Sequence, residues 1–224
     1  MIPWEHLDSA RIPDGGELRL MRRGAELSIM SGSTELMNSR LSGSEKALAT
    51  LALERLKGRP KLRVLIGGLG MGFTLRAALA ELPADAAVVV AELVPSVVAW
   101  ARGPMAGLFE GCLDEPRVTV READVAAVIG EARAAFDAIL LDVDNGPGGL
   151  NRDANDRLYS IGGLNAAKRA LKPGGVLAVW SGGRDDGGFT RRLVNAGYVA
   201  EEIGVRATGG KRGARHVIWL ARPR

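Results

Sequence analysis

The sequence predicts an α/β protein with a doubly wound, mainly parallel, seven-stranded Rossmann-like sheet that ends in an antiparallel hairpin and carries a small β appendage in front. Three observations support this. From Leu62 onward, short runs rich in Val, Ile and Leu alternate with longer helical patterns, as βαβ units around a sheet buried on both faces require. A glycine-rich turn, Gly67-Gly68-Leu69-Gly70-Met71-Gly72, follows the first of those runs. The last two strand-like runs, Tyr198–Arg206 and Arg215–Ala221, are joined by a Gly-rich loop too short for a right-handed parallel crossover, so they should pair antiparallel.

In chain order, Glu17–Met21 and Ala25–Met30 read as a hairpin around Arg22-Arg23-Gly24, giving an N-terminal appendage over residues 1–43 ahead of a main domain over 44–224. Helical spacing of Ala47, Leu48, Leu51 and Leu56 predicts a helix capped by Ser44 and stopped by Gly58 and Pro60. The core strands are Leu62–Gly67, Ala86–Glu92, Arg117–Arg121, Phe136–Asp142 and Gly175–Ser181. The helices between and after them are Met71–Leu82, Val94–Leu108, Val125–Ala134, Ala154–Leu171 and Phe189–Ala196.

Composition narrows the function classes. The chain has 224 residues, 46% hydrophobic and 25% charged, an ordinary globular balance that suits one large α/β domain with an appendage. One cysteine, Cys112, and two histidines, His6 and His216, leave no disulfide framework and no Cys/His zinc cluster, so no metal is expected. No apolar run reaches the roughly 18 residues of a membrane span and the N-terminus lacks a signal-peptide core, so a cytoplasmic location is expected. The net charge of +4 comes mostly from arginines interspersed with acids. The densest basic stretch, Arg206, Lys211, Arg212 and Arg215, reads as a solvated loop, with contact to an anionic partner as the alternative.

Chemistry gathers at the ends of the strands. Glycines at 67, 68, 70 and 72 let a strand turn sharply into a helix and let a ligand approach the backbone. The spacing is neither G-x-G-x-x-G nor a P-loop, so a phosphate-free nucleotide fits better than a dinucleotide or a triphosphate. A purely structural bend is the competing reading. Glu92, at the end of the second core strand and followed by Leu93, can accept from both hydroxyls of a ribose and would repel a 2′-phosphate. Asp124, just past the third strand, can accept from the adenine amine while Val125 packs on the ring; Glu122 nearby is expected to be exposed. Asp142 and Asp144, in Leu141-Asp142-Val143-Asp144-Asn145-Gly146-Pro147, stand beside the topological switch point, where their charge attracts a sulfonium or an amine. The competing readings are a solvated acid for Glu92, and a helix cap plus a turn for the aspartates.

This order of a Gly-rich loop, Glu92, Asp124, Asp142 and then Ala170-Leu171-Lys172-Pro173-Gly174-Gly175 resembles the spermidine synthases, the polyamine aminopropyltransferases, over about residues 62 to 190. The resemblance implies the class I S-adenosylmethionine-dependent methyltransferase fold, whose sheet also ends in an antiparallel hairpin, and a truncated form of the family's N-terminal β domain. It implies decarboxylated S-adenosylmethionine as co-substrate, Glu92 and Asp124 on its ribose and adenine, and Asp142 as the base that deprotonates a small-molecule amine. It also implies a homodimer.

Departures from the family pattern leave alternatives open. The family's Gly-rich motif carries an Asp that holds the aminopropyl ammonium, and this chain has Leu69-Gly70-Met71 there. The usual Asp-Ser-Ser-Asp-Pro is Asp-Val-Asp-Asn-Gly, no Tyr-His-Glu segment is seen, and Gly163-Leu164 stands where a Phe-Tyr pair is usual. Methyl transfer from S-adenosylmethionine to a small molecule, and a non-catalytic nucleoside-binding homologue, therefore remain as readings. A nucleic-acid partner is not expected, because no aromatic clamp for a flipped base follows the fourth strand.

Overall fold

The computed structural model describes residues 2–13, 15–143, 146–147, 157–183, 187–210 and 212–224. Among these, the strands are β1 (Glu5–Arg11), β2 (Glu17–Arg23), β3 (Glu26–Ser31), β4 (Thr34–Asn38), β5 (Arg63–Gly67), β6 (Ala87–Glu92), β7 (Val118–Glu122), β8 (Phe136–Leu141), β9 (Leu171–Ser181), β10 (Tyr198–Arg206) and β11 (Arg215–Pro223). The helices are α1 (Gly43–Glu54), α2 (Phe73–Glu81), α3 (Pro95–Arg102), α4 (Ala106–Phe109), α5 (Val125–Glu131), α6 (Ile161–Ala170) and α7 (Gly188–Asn195).

The large sheet has the order β10-β11-β9-β8-β5-β6-β7. Strands β5 to β9 run parallel; β11 pairs antiparallel with β9 and β10 pairs antiparallel with β11, as the short final loop requires. Alternation along each central strand sorts two cores. Val64, Ile66, Val90 and Leu140 face one side, where α1, α2 and α3 contribute Leu48, Leu75 and Trp100. Leu65, Ala91, Ile139 and Leu141 face the other, against Val128 of α5, Leu164 of α6 and Phe189 of α7. Because both faces are covered, these strands read as unbroken apolar runs.

The N-terminal region is more than the expected hairpin: β1 to β4 form a four-stranded antiparallel sheet. Its Leu18, Leu20, Leu27 and Ile29 are buried in the same core as Val64 and Ile66. Trp100 on α3 donates its indole N–H to Asp8 on β1 at 2.7 Å, fixing this sheet to the main body.

Three boundaries differ from expectation. The helix expected over Val94–Leu108 is two, because Gly103-Pro104 interrupts it: proline lacks the N–H of the next helical bond and its ring clashes with the preceding turn. Helix α1 starts two residues early, with Ser42 and not Ser44 as its N-cap, which frees Ser44 to point inward. Strand β9 begins at Leu171, and its Lys172-Pro173-Gly174 stretch is absorbed by an irregularity opposite Phe136 and Ala138. Of the helix expected over Ala154–Leu171, residues 154–156 lie outside the described residues, and α6 begins only at Ile161, capped by Ser160, whose side chain accepts from the N–H of Gly163.

Candidate active site

The site forms where β5 and β8 lie side by side while the helices after them leave to opposite faces, the switch point at which open α/β sheets bind ligands. Four elements converge there: the glycine turn after β5, Glu92 at the end of β6, Asp124 after β7 and Asp142 after β8. The four-stranded sheet roofs them with Ile12, Leu18, Leu36 and Met37, closing a cavity of about 260 Å³. That volume is just under the ~300 Å³ at which ordinary small-molecule sites begin, so it suits a nucleoside and is too small for a dinucleotide.

The glycines divide by what a side chain would meet. A Cβ on Gly67 would lie 2.8 Å from Val125, one on Gly68 would lie 2.3 Å from the backbone oxygen of Asp142, and one on Gly72 would lie 2.5 Å from the Phe109 ring. These three permit the chain's own close packing. Gly70, with φ +50°, would meet only the flexible end of Met37 at 3.2 Å, and it lines the cavity.

Glu92 is buried, and its two oxygens accept from the backbone N–H of Leu69 and of Val94, each at 2.9 Å. Burial raises its proton affinity, and the backbone donors of Val94, Leu69, Gly70 and Leu93 oppose the rise. Leu69 and Val94 make the hydrogen bonds within bonding distance, one on each oxygen, so each oxygen keeps a second lone pair and Glu92 can hold the glycine turn and still accept from a ligand hydroxyl. Leu93 and Val94 form the adjoining wall.

Asp124 caps α5 by accepting from the N–H of Ala126 at 2.8 Å, and its exposed carboxylate lines the cavity beside buried Val125. Glu122 is exposed on β7. Strand β8 ends at Leu141, one residue short of the expected Asp142, but the Asp142 N–H still donates to Gly67 at 2.9 Å and so continues the ladder. The Asp142 carboxyl accepts from the Thr74 hydroxyl of α2 at 2.6 Å. Burial pushes its pKa up to about 7, with the charge of Glu45 adding and the Thr74 bond opposing. Asp144, expected to assist, lies outside the described residues, as do Asn145 and Lys211.

Sequence reasoning missed Thr74, Met37 and the group around Glu45. No local signal marks Thr74 or Met37, but Ser44-Glu45 inside the first turn of a helix is an unusual polar pair to find facing a sheet. On the far side of α1 a larger, open groove of about 1130 Å³ runs past Lys46, Arg206 and Arg215, balanced by Glu202. It lacks converging acids and the glycine turn does not line it, so the smaller cavity is the candidate site. Among the described residues no cluster of His, Cys, Asp and Glu could hold a metal ion, and no helix is long and apolar enough to cross a membrane.

No protein-family model matches the chain. It is 30% identical over 151 residues to polyamine aminopropyltransferase 1 of Streptomyces coelicolor, a stretch covering 64% of this chain and 28% of that protein. It is 34% identical over 124 residues to the polyamine aminopropyltransferase of Nitrosomonas europaea, covering 54% and 35%. The chain thus spans about a third of the length of these relatives. In structure it matches spermidine synthase from Thermotoga maritima with TM-score 0.75 and 20% identity over 96% of this chain and 72% of the other. A spermidine synthase in complex with the transition state analogue AdoDATO matches with TM-score 0.73 and 19% identity, over 96% and 71%. The fold is therefore spermidine synthase-like, and the sequence similarity runs to the aminopropyltransferases.

Proposed function

We propose that this chain transfers an aminopropyl group from decarboxylated S-adenosylmethionine to an amine, with Asp142 as base and Glu92 and Asp124 holding the nucleoside. One observation carries the reading: acids from the ends of three strands, β6, β7 and β8, line a single nucleoside-sized cavity over a glycine turn. Similarity to polyamine aminopropyltransferases supports it.

The residues present fit such a co-substrate. Glu92 offers its remaining lone pairs to the ribose hydroxyls, Asp124 its free oxygen to the adenine amine, and Leu93 and Val125 apolar walls to the ring. Gly67, Gly68 and Gly72 let the turn close, and Gly70 leaves its backbone open to the ligand. When bound, the sulfonium supplies an electrophilic carbon with a thioether leaving group. Asp142 does the rest: it takes a proton from the ammonium of the acceptor, whose nitrogen then forms the new C–N bond as the C–S bond breaks and methylthioadenosine leaves. A carboxyl held near pH 7 is matched to that task. An electrostatic role for Asp144, a homodimer and a cytoplasmic location belong to the same proposal.

One feature favours a second reading. The turn offers Gly70 beneath the Met37 thioether where an aminopropyl ammonium would want an acid, which suits methyl transfer from S-adenosylmethionine. Titration calorimetry with decarboxylated S-adenosylmethionine, S-adenosylmethionine and methylthioadenosine, followed by product analysis with a panel of diamines, separates the two. Preference for the decarboxylated donor, and loss of at least about 10²-fold in turnover in Asp142→Asn with donor affinity kept, are expected. A fully active Asp142→Asn overturns the aminopropyl mechanism, and no binding of any of the three ligands overturns both readings.

A further inference from the structure

A polar cluster of one buried and two half-buried side chains lies behind Asp142, and the proposed chemistry leaves it unexplained. The Thr74 hydroxyl that donates to Asp142 also sits 3.3 Å from the backbone oxygen of Glu45, so α1 is one side chain away from the base. Next to Glu45 on α1, Ser44 is fully buried; its hydroxyl lies 2.7 Å from Glu45 Oε2 and 2.8 Å from Nδ1 of His216 on β11. The His216 ring stands edge-on to Trp180, their centroids 5.0 Å apart.

Hydrogen accounting orients the cluster. A serine hydroxyl has one proton to give, and an ionised carboxylate can only accept. Ser44 therefore donates to Glu45, and His216 donates from Nδ1 to Ser44. Burial keeps His216 neutral, with Glu45 pulling the other way, so a single tautomer satisfies every partner. The order His216, Ser44, Glu45 holds one carboxylate in place behind another.

We propose that Glu45 is a positioning residue of this site: its carboxylate, braced by Ser44 and His216, is the charge against which Asp142 gains and loses its proton. The groups facing Asp142 leave few rivals. Thr74 of α2 is neutral, the roof contributes apolar side chains and Ser31, and Glu92 and Asp124 approach from the cavity. Among the described residues no cation forms an ion pair with Asp142 or Glu45. Two carboxyls in one poorly solvated place, without a cation, resist ionising together, and the second charge raises the proton affinity of the first. Removing the Glu45 charge should return Asp142 towards an ordinary carboxyl and make it a weaker base.

The inference rests on Asp142 being the base, but its test does not. Protein labelled with 13C at the aspartate carboxyls, with Asp142 assigned through Asp142→Asn, gives the Asp142 titration directly by NMR. In Glu45→Gln, which keeps the shape and an acceptor for Ser44, the midpoint should fall by about one pH unit or more. Ser44→Ala, which releases the brace, should move it the same way by less, and it carries the test if Glu45→Gln does not fold. With an amine acceptor, the acid limb of the rate profile should shift down by the same amount while donor affinity stays constant. An Asp142 midpoint unmoved in both variants overturns the inference even if aminopropyl transfer is found. A shifted midpoint without turnover on any amine upholds the pairing and counts against the transfer reading alone.

Discussion

Asp142→Asn should make the protein more stable at neutral and alkaline pH. Burial pushes the folded carboxyl's pKa up to about 7, from the 3.8 of a free aspartate side chain. Between those values the folded state holds a proton that the unfolded chain has released, so stability falls as pH rises through that window and the full penalty is present above it. About 3 pH units at ~1.36 kcal/mol each sets a ceiling of about 4 kcal/mol, nearly all of it accrued by pH 7 and little of it at pH 4. Rearrangement around the ionised carboxylate takes up part of this, and about 2 kcal/mol, or roughly 4–8 °C in melting temperature, is the working expectation for a chain of this size. Asparagine keeps an acceptor for Thr74, so the substitution removes the ionisation and little else. The assay is urea unfolding of both proteins at pH 5 and pH 8. Taking the difference between them cancels Glu92, which shifts the same way, and Asp8 and Glu115, which shift oppositely. Parallel stability curves for the two proteins would refute the argument that Asp142 is held against its ionisation.

Glu92→Gln should cost about 1–3 kcal/mol of stability, because its amide nitrogen must face the backbone N–H of Leu69 or Val94, and should weaken a nucleoside about tenfold or more; thermal melting with and without methylthioadenosine measures both. Gly72→Ala should lower the melting temperature strongly through its 2.5 Å approach to Phe109, whereas Gly70→Ala, meeting only Met37, should fold and lose ligand, which calorimetry on the folded protein checks.

What the sequence revealed follows from where information is local. Strands β5, β6, β8 and β11 were legible to within a residue or two at most ends, since burial on two faces writes Val, Ile and Leu continuously into them. Strands β1 and β4 were not. In Glu5–Arg11 only Ala10 is buried and in Thr34–Asn38 only Asn38 is, so neither carries an apolar alternation to read. Glu92, Asp124 and Asp142 could be placed on one cavity from the sequence because each stands at or just past a strand end, which fixes its place once the sheet is known. Their local bonds were not foreseen: Glu92 holds the turn by two backbone donors, and Asp124 is also a helix cap. The Ser44–His216 contact spans 172 residues of chain, and nothing near either residue announces the other.

The position of β11 has a consequence for how the protein is made. This strand is inserted between β9 and β10, and β10 takes the edge. Residues Val217–Ala221 are therefore interior to the sheet, with Trp219 fully enclosed, although they are synthesised after the other six strands of that sheet. A nascent chain that has emerged only as far as β10 has a vacant slot beside β9, two unpaired strand edges and no His216 to brace Ser44. The Ser44–His216 contact is likewise made only once β11 has been synthesised, so a chain stopped before β11 keeps an exposed, aggregation-prone edge on β9 and lacks that contact.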